Sequence, residues 1–560
     1  MADLPDTPEE LGLPGFTEWR QHQKEIVSDV VDAFDTNDVV LAEAPTGAGK
    51  TIIGAATGRA LGGGAIYLAH TIMLQEQQLR TLPGAVTVTG RRNHVCPLPV
   101  LIGETLTADE ADCPCDLATP DGCSYYDQWF RAMPARDVAL NYAFMVRIVK
   151  ARGLKVAEGF GTMGKNRDII PNPFVGRKLM VCDEGHNLEA ALLDADKVDV
   201  YQQSFERYHL SVPNSTDFQQ WLEWSTRARP VLTEKYESAR KGTQASIESG
   251  ELSVDTFKES KRLAGLLQTV EGVLDLAGVA KDGELEGKQP TVFVGRRPHG
   301  YVVQPIWAWD RARKLLFSHA ENVLVMSATL GAPGLAARLL GLQEGRWAHM
   351  TIPSTFPVEN RPIFYWPVSK MKYNMDDSEK MRQVVALANL SQKFPNSPGL
   401  VHTNSYTLAK YFYERMPQVL PELMGRLILS SPQTRAKDFA DFEADPGNRI
   451  MLTPAATTGV DWDFLGWQMI PKVGYPDLSD DITRLRYDYV TEEGEALGKE
   501  VYTNEAVKTL VQAAGRAVRT PTSKGVTVIT DGAFWPLFKH IAPKAFPSWF
   551  RPAVRWYEPK

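Results

Sequence analysis

The segment APTGAGKT (44–51) constrains the fold more than any other part of the chain. It follows the apolar run VVLAEAP (39–45) and precedes the helical run TIIGAATGRAL (51–61). A glycine-rich turn between a buried strand and a helix is typical of a phosphate loop, because its backbone N–H groups and the positive helix end surround a phosphate. This context predicts an α/β domain that binds a nucleoside triphosphate.

Each position of this loop has an expected contact with the nucleotide. Lys50 is expected to reach the β and γ phosphates, and Thr51 to place its hydroxyl on Mg²⁺. The rest of the loop is expected to surround the phosphates through its backbone: Ala44, Pro45, Thr46, Gly47, Ala48 and Gly49. Ala44 departs from the general pattern, which begins with glycine.

Apolar runs of strand length recur in two series along the chain. The first series comprises 39–45, 65–70, 179–184 and 322–329, and the second comprises 399–403, 449–454 and 526–531. Continuous apolar runs of this length predict strands buried on both faces, as in parallel sheets covered by helices. The two series therefore predict two α/β domains.

A pair of carboxylates ends one of the predicted strands. Asp183 and Glu184 follow the apolar residues LMVC and open the sequence DEGH (183–186). A carboxylate at a strand end can hold the water shell of Mg²⁺, and a second one can orient the attacking water. We assign Asp183 to Mg²⁺ and Glu184 to the general-base role.

Two arginines lie three residues apart near the end of the second series. Arg516 and Arg519 project from one face of a predicted helix, which Gln512 shares four residues before Arg516. Guanidinium groups that face a γ-phosphate stabilise the charge that develops in phosphoryl transfer, an effect of roughly 10³–10⁵ in rate. Because Lys50 belongs to the first domain, we expect the nucleotide to bind between the domains and hydrolysis to open and close the cleft.

These segments and several others occur in the order typical of superfamily 2 helicases, and they resemble the iron–sulfur XPD/DinG family within it. The matching segments are WRQHQ (19–23), HTIMLQEQ (70–77), GRRNHVC (90–96), DEGHNLE (183–189), MSATL (326–330), HTNSY (402–406), TTGVDW (457–462), QAAGRAVRT (512–520) and VITDGAF (528–534). The resemblance covers about residues 15–190 and 300–535.

The resemblance implies two RecA-like parallel-sheet motor domains, the first of which carries an Fe–S lobe and a helical Arch-like insertion. It also implies roles for six further residues: Arg20 and Gln23 at the adenine, Gly459 and Asp461 at the nucleotide, and Ser327 and Thr329 in coupling. Two positions depart from the family. Gly185 replaces an alanine of the acidic box, and Thr458 stands where an acidic residue usually precedes Gly459.

Four of the five cysteines fall in one short stretch with the pattern C-x₁₆-C-x-C-x₇-C: Cys96, Cys113, Cys115 and Cys123. Clustered thiols suit a metal site, and cysteine identity alone permits either structural Zn²⁺ or an Fe–S cluster. The resemblance at GRRNHVC favours a 4Fe–4S cluster held by all four. Cys182 lies in an apolar run and is interpreted as a small buried hydrophobic residue.

The cysteine lobe carries charged and aromatic residues beside its thiols. Arg91 and Arg92 are interpreted as contacts to DNA phosphates. The neighbouring aromatic residues are expected to pack around the cluster: Tyr125, Tyr126, Trp129 and Phe130. The whole segment 91–135 looks irregular.

The domain boundaries follow from these positions. Motor domain 1 comprises 1–90, 124–194 and 311–350, the Fe–S lobe 91–123 (extending at most to about 140), the Arch-like insertion 195–310, and motor domain 2 351–560. The insertion is predicted to be helical without strands of its own, because Leu263, Leu266, Leu267, Val270, Val273, Leu274 and Ala277 share one helix face. A similar stripe begins at Phe218, Trp221 and Leu222, and Pro230 is expected to interrupt the helix after it.

The leading hypothesis is a DNA helicase that hydrolyses ATP, moves along single-stranded DNA and separates duplex junctions, and the resemblance implies 5′→3′ movement. The net charge of −7 excludes a wholly basic coat protein but allows a basic groove on an acidic body. We expect a monomeric cytoplasmic protein that does not contact a membrane. Two alternatives stay open: an RNA or RNA–DNA hybrid helicase, and a nucleic-acid-stimulated ATPase switch that unwinds weakly. The sequence leaves the biological pathway open.

Overall fold

Two seven-stranded parallel sheets form the framework of the computed structural model, which confirms the predicted fold class of two RecA-like domains. The structure describes residues 4–97, 105–109, 123–152, 160–163, 168–171, 177–249, 253–284, 290–309, 311–372, 374–457, 460, 462–491 and 493–557.

The first sheet places the phosphate-loop strand between two neighbours from the far end of the first domain. In spatial order its strands are Trp347–Thr351, Val39–Glu43, Asn322–Ser327, Arg177–Asp183, Gly64–Ala69, Val138–Asn141 and Val86–Thr87. The phosphate-loop strand Val39–Glu43 is buried at every position, because helices cover both faces of the sheet. All strand pairs are parallel, so the acidic box and MSATL emerge at the same edge as the phosphate loop.

The second sheet has the same construction. In spatial order its strands are Leu427–Leu429, Ile450–Thr453, Gly399–His402, Trp467–Ile470, Val526–Asp531, Ile363–Ser369 and Val554–Trp556. The predicted strands around 399–403, 449–454 and 526–531 are therefore present. The chain enters this sheet at Ile363 and closes its edge with Val554–Trp556.

Helices connect the strands of both sheets. Those of the first sheet are Gln23–Ala33, Lys50–Ala60, Ile72–Thr81, Ser124–Ala132, Tyr142–Arg152, Leu188–Ala195, Arg311–Leu315 and Pro333–Leu339. Those of the second are Asp377–Lys393, Tyr406–Arg415, Arg435–Ala444, Asp481–Tyr487, Leu497–Ala514 and Phe534–Pro536. A separate antiparallel pair comprises Phe160–Met163 and Asp168–Pro171.

The insertion contains strands, so the prediction of a purely helical segment over 195–310 is wrong. A three-stranded antiparallel sheet comprises Val198–Tyr201, Gly300–Pro305 and Val292–Arg297 in spatial order. Its first strand alternates buried and exposed residues, as a sheet packed on one face does. The pairing joins segments about 100 residues apart in sequence, which local periodicity cannot reveal.

The long helices of the insertion form an antiparallel pair, Phe218–Ser249 and Val254–Glu284, preceded by the short helix Gln202–Glu206. Pro230 lies inside the first long helix and does not interrupt it, contrary to the sequence prediction. An interior proline costs about 3 kcal/mol or more. Apolar packing around Trp221, Ala228 and Leu232, all fully buried, favours the continuous helix in spite of that cost.

The segment 91–135 is less irregular than predicted, because Ser124–Ala132 is an α-helix. Tyr125, Tyr126 and Trp129 are buried on one face of it, whereas Phe130 is 45% exposed. The helix therefore packs most of these aromatic residues into the core of the first domain rather than presenting them to solvent.

Two ion pairs meet at Asp109 in the cysteine lobe. Lys261, on the second long helix of the insertion, places its Nζ 2.9 Å from one carboxylate oxygen of Asp109. Arg92 Nε lies 3.8 Å from the other oxygen. The lobe and the insertion thus touch each other at this residue.

Among the described residues, none of the helices combines the length and the apolar character needed to cross a bilayer.

Candidate active site between the two sheets

The phosphate loop connects the strand Val39–Glu43 to the helix Lys50–Ala60, as the sequence predicts. Gly49 caps that helix with a φ of 75°, in the left-handed region where a side chain is disfavoured. A Cβ atom built on Gly49 would also lie 2.2 Å from Nε2 of Gln23. Glycine at this position lets the loop backbone pack closely against Gln23. Phosphate binding likewise requires a loop backbone that can be approached closely.

The segment WRQHQ lies against the same loop. Gln23 donates a hydrogen bond from Nε2 to the carbonyl oxygen of Ala48 at 3.3 Å, and its Oε1 accepts one from the Arg20 N–H at 3.0 Å. Gln23 is buried. Arg20 and Gln23 are therefore placed beside the loop, where the adenine role implied for them remains a proposal.

The lysine of the loop forms an ion pair with the acidic box. Lys50 Nζ lies 2.9 Å from Oε1 of Glu184. Burial lowers the pKa of Lys50, but the charges of Glu184 and Asp183 overcome this effect and raise it above its usual value. Burial pushes the pKa of Glu184 upward, but the Lys50 charge and hydrogen bonds from His186 and Lys50 hold it well below its usual range. Both groups are therefore charged at neutral pH.

The backbone of the acidic box is held in an unusual conformation. Glu184 has a φ of 49° and a ψ of 48°, a left-handed conformation that costs a non-glycine residue about 1–3 kcal/mol. A Cβ atom built on the following Gly185 would lie 2.3 Å from a methyl carbon of Val325. This tight packing against the neighbouring strand explains why the chain has Gly185 at a position where the family that it resembles has alanine.

Asp183 ends its strand with its carboxylate buried beside Glu184. One oxygen accepts the Glu184 N–H at 2.9 Å, and the other lies 3.5 Å from Nε2 of Gln78. Burial raises the pKa of Asp183, and the Lys50 charge opposes that rise. A buried carboxylate of this kind gains from a nearby cation. Asp183, together with Thr51 in the first turn of the helix after the loop, therefore fits the Mg²⁺ assigned to these two residues.

A chain of contacts runs from the acidic box to the second domain. His186 Nδ1 lies 3.3 Å from Oε2 of Glu184 and 2.8 Å from Oγ of Ser327. The Ser327 oxygen accepts the Thr329 N–H at 3.1 Å, and Gln512 Nε2 donates to Oγ1 of Thr329 at 3.4 Å. Ser327 and Thr329 thus lie physically between the two domains, where the coupling role would require them.

The two arginines of QAAGRAVRT lie beyond the end of the helix Leu497–Ala514, so the prediction that they share a helix face with Gln512 is wrong. Both bind the TTGVDW segment instead. Arg516 donates from Nε to the carbonyl of Thr457 at 2.8 Å and from Nη1 to that of Val460 at 2.5 Å. Arg519 donates from Nη2 to the same Val460 carbonyl at 2.7 Å. The positive charge of Arg519 opposes the rise in the pKa of Lys50, so the two cations lie close enough to interact across the cleft.

Thr458, Gly459 and Asp461 of that segment lie outside the described residues, so their predicted roles stay predictions.

The described cysteines of the lobe are both buried. Cys96 is 0% exposed, and Cys123 is 3% exposed at the start of the helix Ser124–Ala132. His94 Nδ1 lies 3.0 Å from Oγ of Ser124 and so joins the two chain segments that carry these thiols. Cys113 and Cys115 lie outside the described residues. Within the described ranges there is no group of three or more metal-ligating side chains.

The arginines of the lobe have different surroundings. The Arg91 guanidinium lies 5.5 Å from the ring centroid of Tyr125. The Arg92 side chain is 79% exposed, and its Nε lies 3.8 Å from a carboxylate oxygen of Asp109. Arg92 is therefore accessible to a phosphate, as its interpretation requires.

Several residues of the cleft were not identified from the sequence. Asn504 accepts the Ala332 N–H through Oδ1 at 3.0 Å and so joins the second domain to the loop after MSATL. Arg486 pairs with Glu189 at 2.5 Å and lies over the ring of Trp307. The sequence contained a signal for Glu189, since it is the last residue of DEGHNLE, the segment that begins with the acidic box.

Two family models match the chain. The helicase C-terminal domain matches residues 387–553, and the family described as type III restriction enzyme, res subunit, matches residues 16–96. No curated protein matches. The first match covers five of the seven strands of the second sheet and its arginines, and the second covers the phosphate loop and the first cysteine.

Solved structures share the fold over nearly the whole chain. A structure described as an XPD helicase is 15% identical, with 96% of this chain and 100% of that one covered and a TM-score of 0.58. Xpd4 of S. tokodaii is 14% identical, with coverage of 96% and 100% and a TM-score of 0.55. An apo XPD structure is 15% identical, with coverage of 95% and 100% and a TM-score of 0.54.

A nucleotide site between two RecA-like domains, together with a helicase C-terminal domain, defines an ATP-dependent helicase that binds nucleic acid. More specifically, the two family models support a helicase, and the solved XPD structures show that the chain shares their fold.

Proposed function

We propose that the chain is an ATP-dependent DNA helicase that moves 5′→3′ on single-stranded DNA and unwinds duplex junctions. The observation that carries the proposal is that Lys50 pairs with Glu184 in the first domain, while the arginine segment of the second domain contacts the first through Gln512 and Thr329. A site divided in this way is completed only when the domains close. Closing and opening can therefore convert hydrolysis into movement along a strand.

The residues of the site divide the chemistry among them. The triphosphate oxygens would compete with Glu184 for the Lys50 ammonium, because both are anionic. Released from Lys50, the Glu184 carboxylate would orient the attacking water, and Arg519 would stabilise charge on the γ-phosphate. Thr51 and Asp183 would hold Mg²⁺, which supplies positive charge to the phosphates when bound.

The proposed substrate and direction are tested by strand displacement. With ATP, we expect unwinding of a DNA duplex that carries a 5′ single-stranded tail and much slower unwinding of the same duplex with a 3′ tail. Matched RNA and RNA–DNA hybrid duplexes serve as controls for the sugar. Preference for the 3′ tail would contradict the direction, and preference for RNA would contradict the substrate. Strong stimulated hydrolysis without displacement would favour an ATPase switch.

We also propose that Cys96, Cys113, Cys115 and Cys123 hold a 4Fe–4S cluster that is structural. The buried thiols of Cys96 and Cys123, whose segments are joined by the His94–Ser124 contact, fit such a group. When bound, the cluster would cross-link the lobe that carries Arg91 and Arg92. DNA phosphates would then meet these arginines on a fixed surface.

Replacing one of these cysteines tests the cluster. Anaerobically purified wild-type protein is expected to contain about four iron atoms and as many sulfides per chain. Cys96→Ser should lose most of this iron and unwind more slowly, with a smaller loss of ATPase activity. Cys182→Ala, which alters a buried thiol in the first sheet, should keep the iron. Stoichiometric zinc in place of iron would contradict the proposal.

A further inference from the structure

Glu43 is a buried carboxylate that the proposed nucleotide chemistry does not use. It is the last residue of the strand before the phosphate loop and is only 7% exposed. The four preceding residues of this strand, VVLA, are apolar. Burying a carboxylate among them is costly unless it is hydrogen-bonded, so its retention calls for partners.

Its partners come from the second domain, 505 residues further along the chain. Oε1 of Glu43 accepts the backbone N–H of Ser548 at 3.0 Å and the Ser548 hydroxyl at 3.2 Å. Burial raises the pKa of Glu43, while these two hydrogen bonds and the charge of Arg551 oppose that rise. The carboxylate therefore receives donors from a single short segment of the other domain.

That segment, Pro547–Phe550, is fixed to the second domain and reaches two neighbouring strand ends of the first domain. Phe550 is fully buried in the core of the second domain. Arg361 donates to the Trp549 carbonyl at 2.7 Å. The Trp549 indole N–H lies 3.4 Å from the carbonyl of Ala328, the residue between Ser327 and Thr329. The segment thus touches the strand ends before the phosphate loop and within MSATL.

A carboxylate at this position suits an interface that opens. In the closed arrangement Glu43 is bonded by Ser548, and after separation water could replace both donors at little cost. An apolar residue at the same place would favour the closed state throughout the cycle, because opening would expose its surface to water at a cost in free energy. The polarity of Glu43 therefore fits a contact that forms and breaks during each cycle.

We propose that Glu43 is a positioning residue of the ATPase, which holds the closed cleft through Ser548 and so keeps Arg519 opposite Lys50. The inference rests on the proposed ATP hydrolysis between the domains. Glu43 contacts neither the phosphates nor the water in this account. Removing the Glu43 carboxylate should slow ATP hydrolysis, because that step needs groups from both domains. Nucleotide affinity depends mainly on the first domain and should stay almost unchanged.

The test compares Glu43→Ala with Glu43→Gln in steady-state ATP hydrolysis stimulated by single-stranded DNA. Glu43→Ala removes the acceptor and should lower kcat about tenfold with KM for ATP changed less than about twofold. Glu43→Gln keeps an acceptor oxygen and should stay within about threefold of the wild type. Ser548→Ala, at an exposed residue, should give an intermediate loss, because only the hydroxyl donor is removed.

Hydrogen exchange at the Ser548 amide supplies a readout that a purely structural role would not change. In the wild type, ADP with beryllium fluoride should increase protection of this amide, and Glu43→Ala should abolish the increase. Glu344→Ala, which removes an exposed carboxylate of the first domain, is the matched control.

Three outcomes would overturn the inference: wild-type kcat in Glu43→Ala, equal losses in Glu43→Ala and Glu43→Gln, or a nucleotide response of the Ser548 amide that survives Glu43→Ala. If Glu43→Ala does not fold, Ser548→Ala and the wild-type exchange experiment decide. A wild-type chain without ATPase activity would instead contradict the proposed function, whereas an active wild type with an equally active Glu43→Ala contradicts this inference alone.

Discussion

Lys50→Ala is expected to abolish ATP hydrolysis, with a loss in kcat of about 10²–10³ or more. The ammonium pairs with Glu184 at 2.9 Å beside the phosphate loop, where a lysine reaches the β and γ phosphates. Steady-state phosphate release in the presence of single-stranded DNA measures the effect. Binding of the DNA strand itself should change little, because the loop lies at the nucleotide cleft.

The control for this substitution is Lys178→Ala, which removes an exposed lysine that pairs with Glu321 on the same domain. An exposed pair contributes about 0–1 kcal/mol, so the control should keep both its melting temperature and its turnover. A melting curve of Lys50→Ala separates lost chemistry from lost folding. Unchanged turnover in a folded Lys50→Ala protein would refute the phosphate-loop assignment.

Arg519→Ala is expected to lower kcat by about 10³ or more while KM for ATP changes only a few-fold. It belongs to the second domain and its charge reaches Lys50 across the cleft, so it can act on charge that appears at the γ-phosphate during transfer. A group that acts mainly in the transition state affects turnover more than affinity. Steady-state kinetics over a range of ATP concentrations gives both quantities.

Two further variants test whether the effect is specific to the guanidinium of Arg519. Arg519→Lys keeps the charge but not the planar fork and should restore only part of the turnover. Arg555→Ala removes an exposed arginine from the edge strand Val554–Trp556 and should behave as the wild type. Equal losses in kcat and in ATP affinity for Arg519→Ala would argue against a transition-state role.

Much of the framework could be predicted because its signals are local. The strand Val39–Glu43, the loop after it and the helix from Lys50 follow one another in sequence, and a fully buried strand produces a continuous apolar run. The same reasoning located the strands ending at Asp183 and Ser327. Parallel pairing then brings their carboxyl ends to one edge of the sheet.

The elements that were missed depend on distant partners. Val198–Tyr201 forms a strand only because Gly300–Pro305 pairs with it. Pro230 is accommodated in a long helix because the neighbouring helix of the insertion covers its apolar face. In both cases tertiary packing outweighs the local preference of the sequence.

The missed part of the cleft has the same origin. Glu43 was visible as one charge at the end of an apolar run, but its partner Ser548 lies near the other end of the chain. Similarly, no local pattern connects Asn504 with the Ala332 amide. The contacts between the domains could therefore be found only in the structure, whereas the functional groups of each separate domain could be predicted from the sequence.

The central claim is that one triphosphate is bound by both walls of the cleft at once. The most direct measurement is an experimental structure of the chain with Mg²⁺, ADP and aluminium fluoride, which mimics the γ-phosphoryl group in transfer. The account predicts that the fluoride group contacts Lys50 from one side and Arg519 from the other. A well-ordered complex in which Arg519 stays away from the fluoride, and the nucleotide touches the first domain alone, would contradict it.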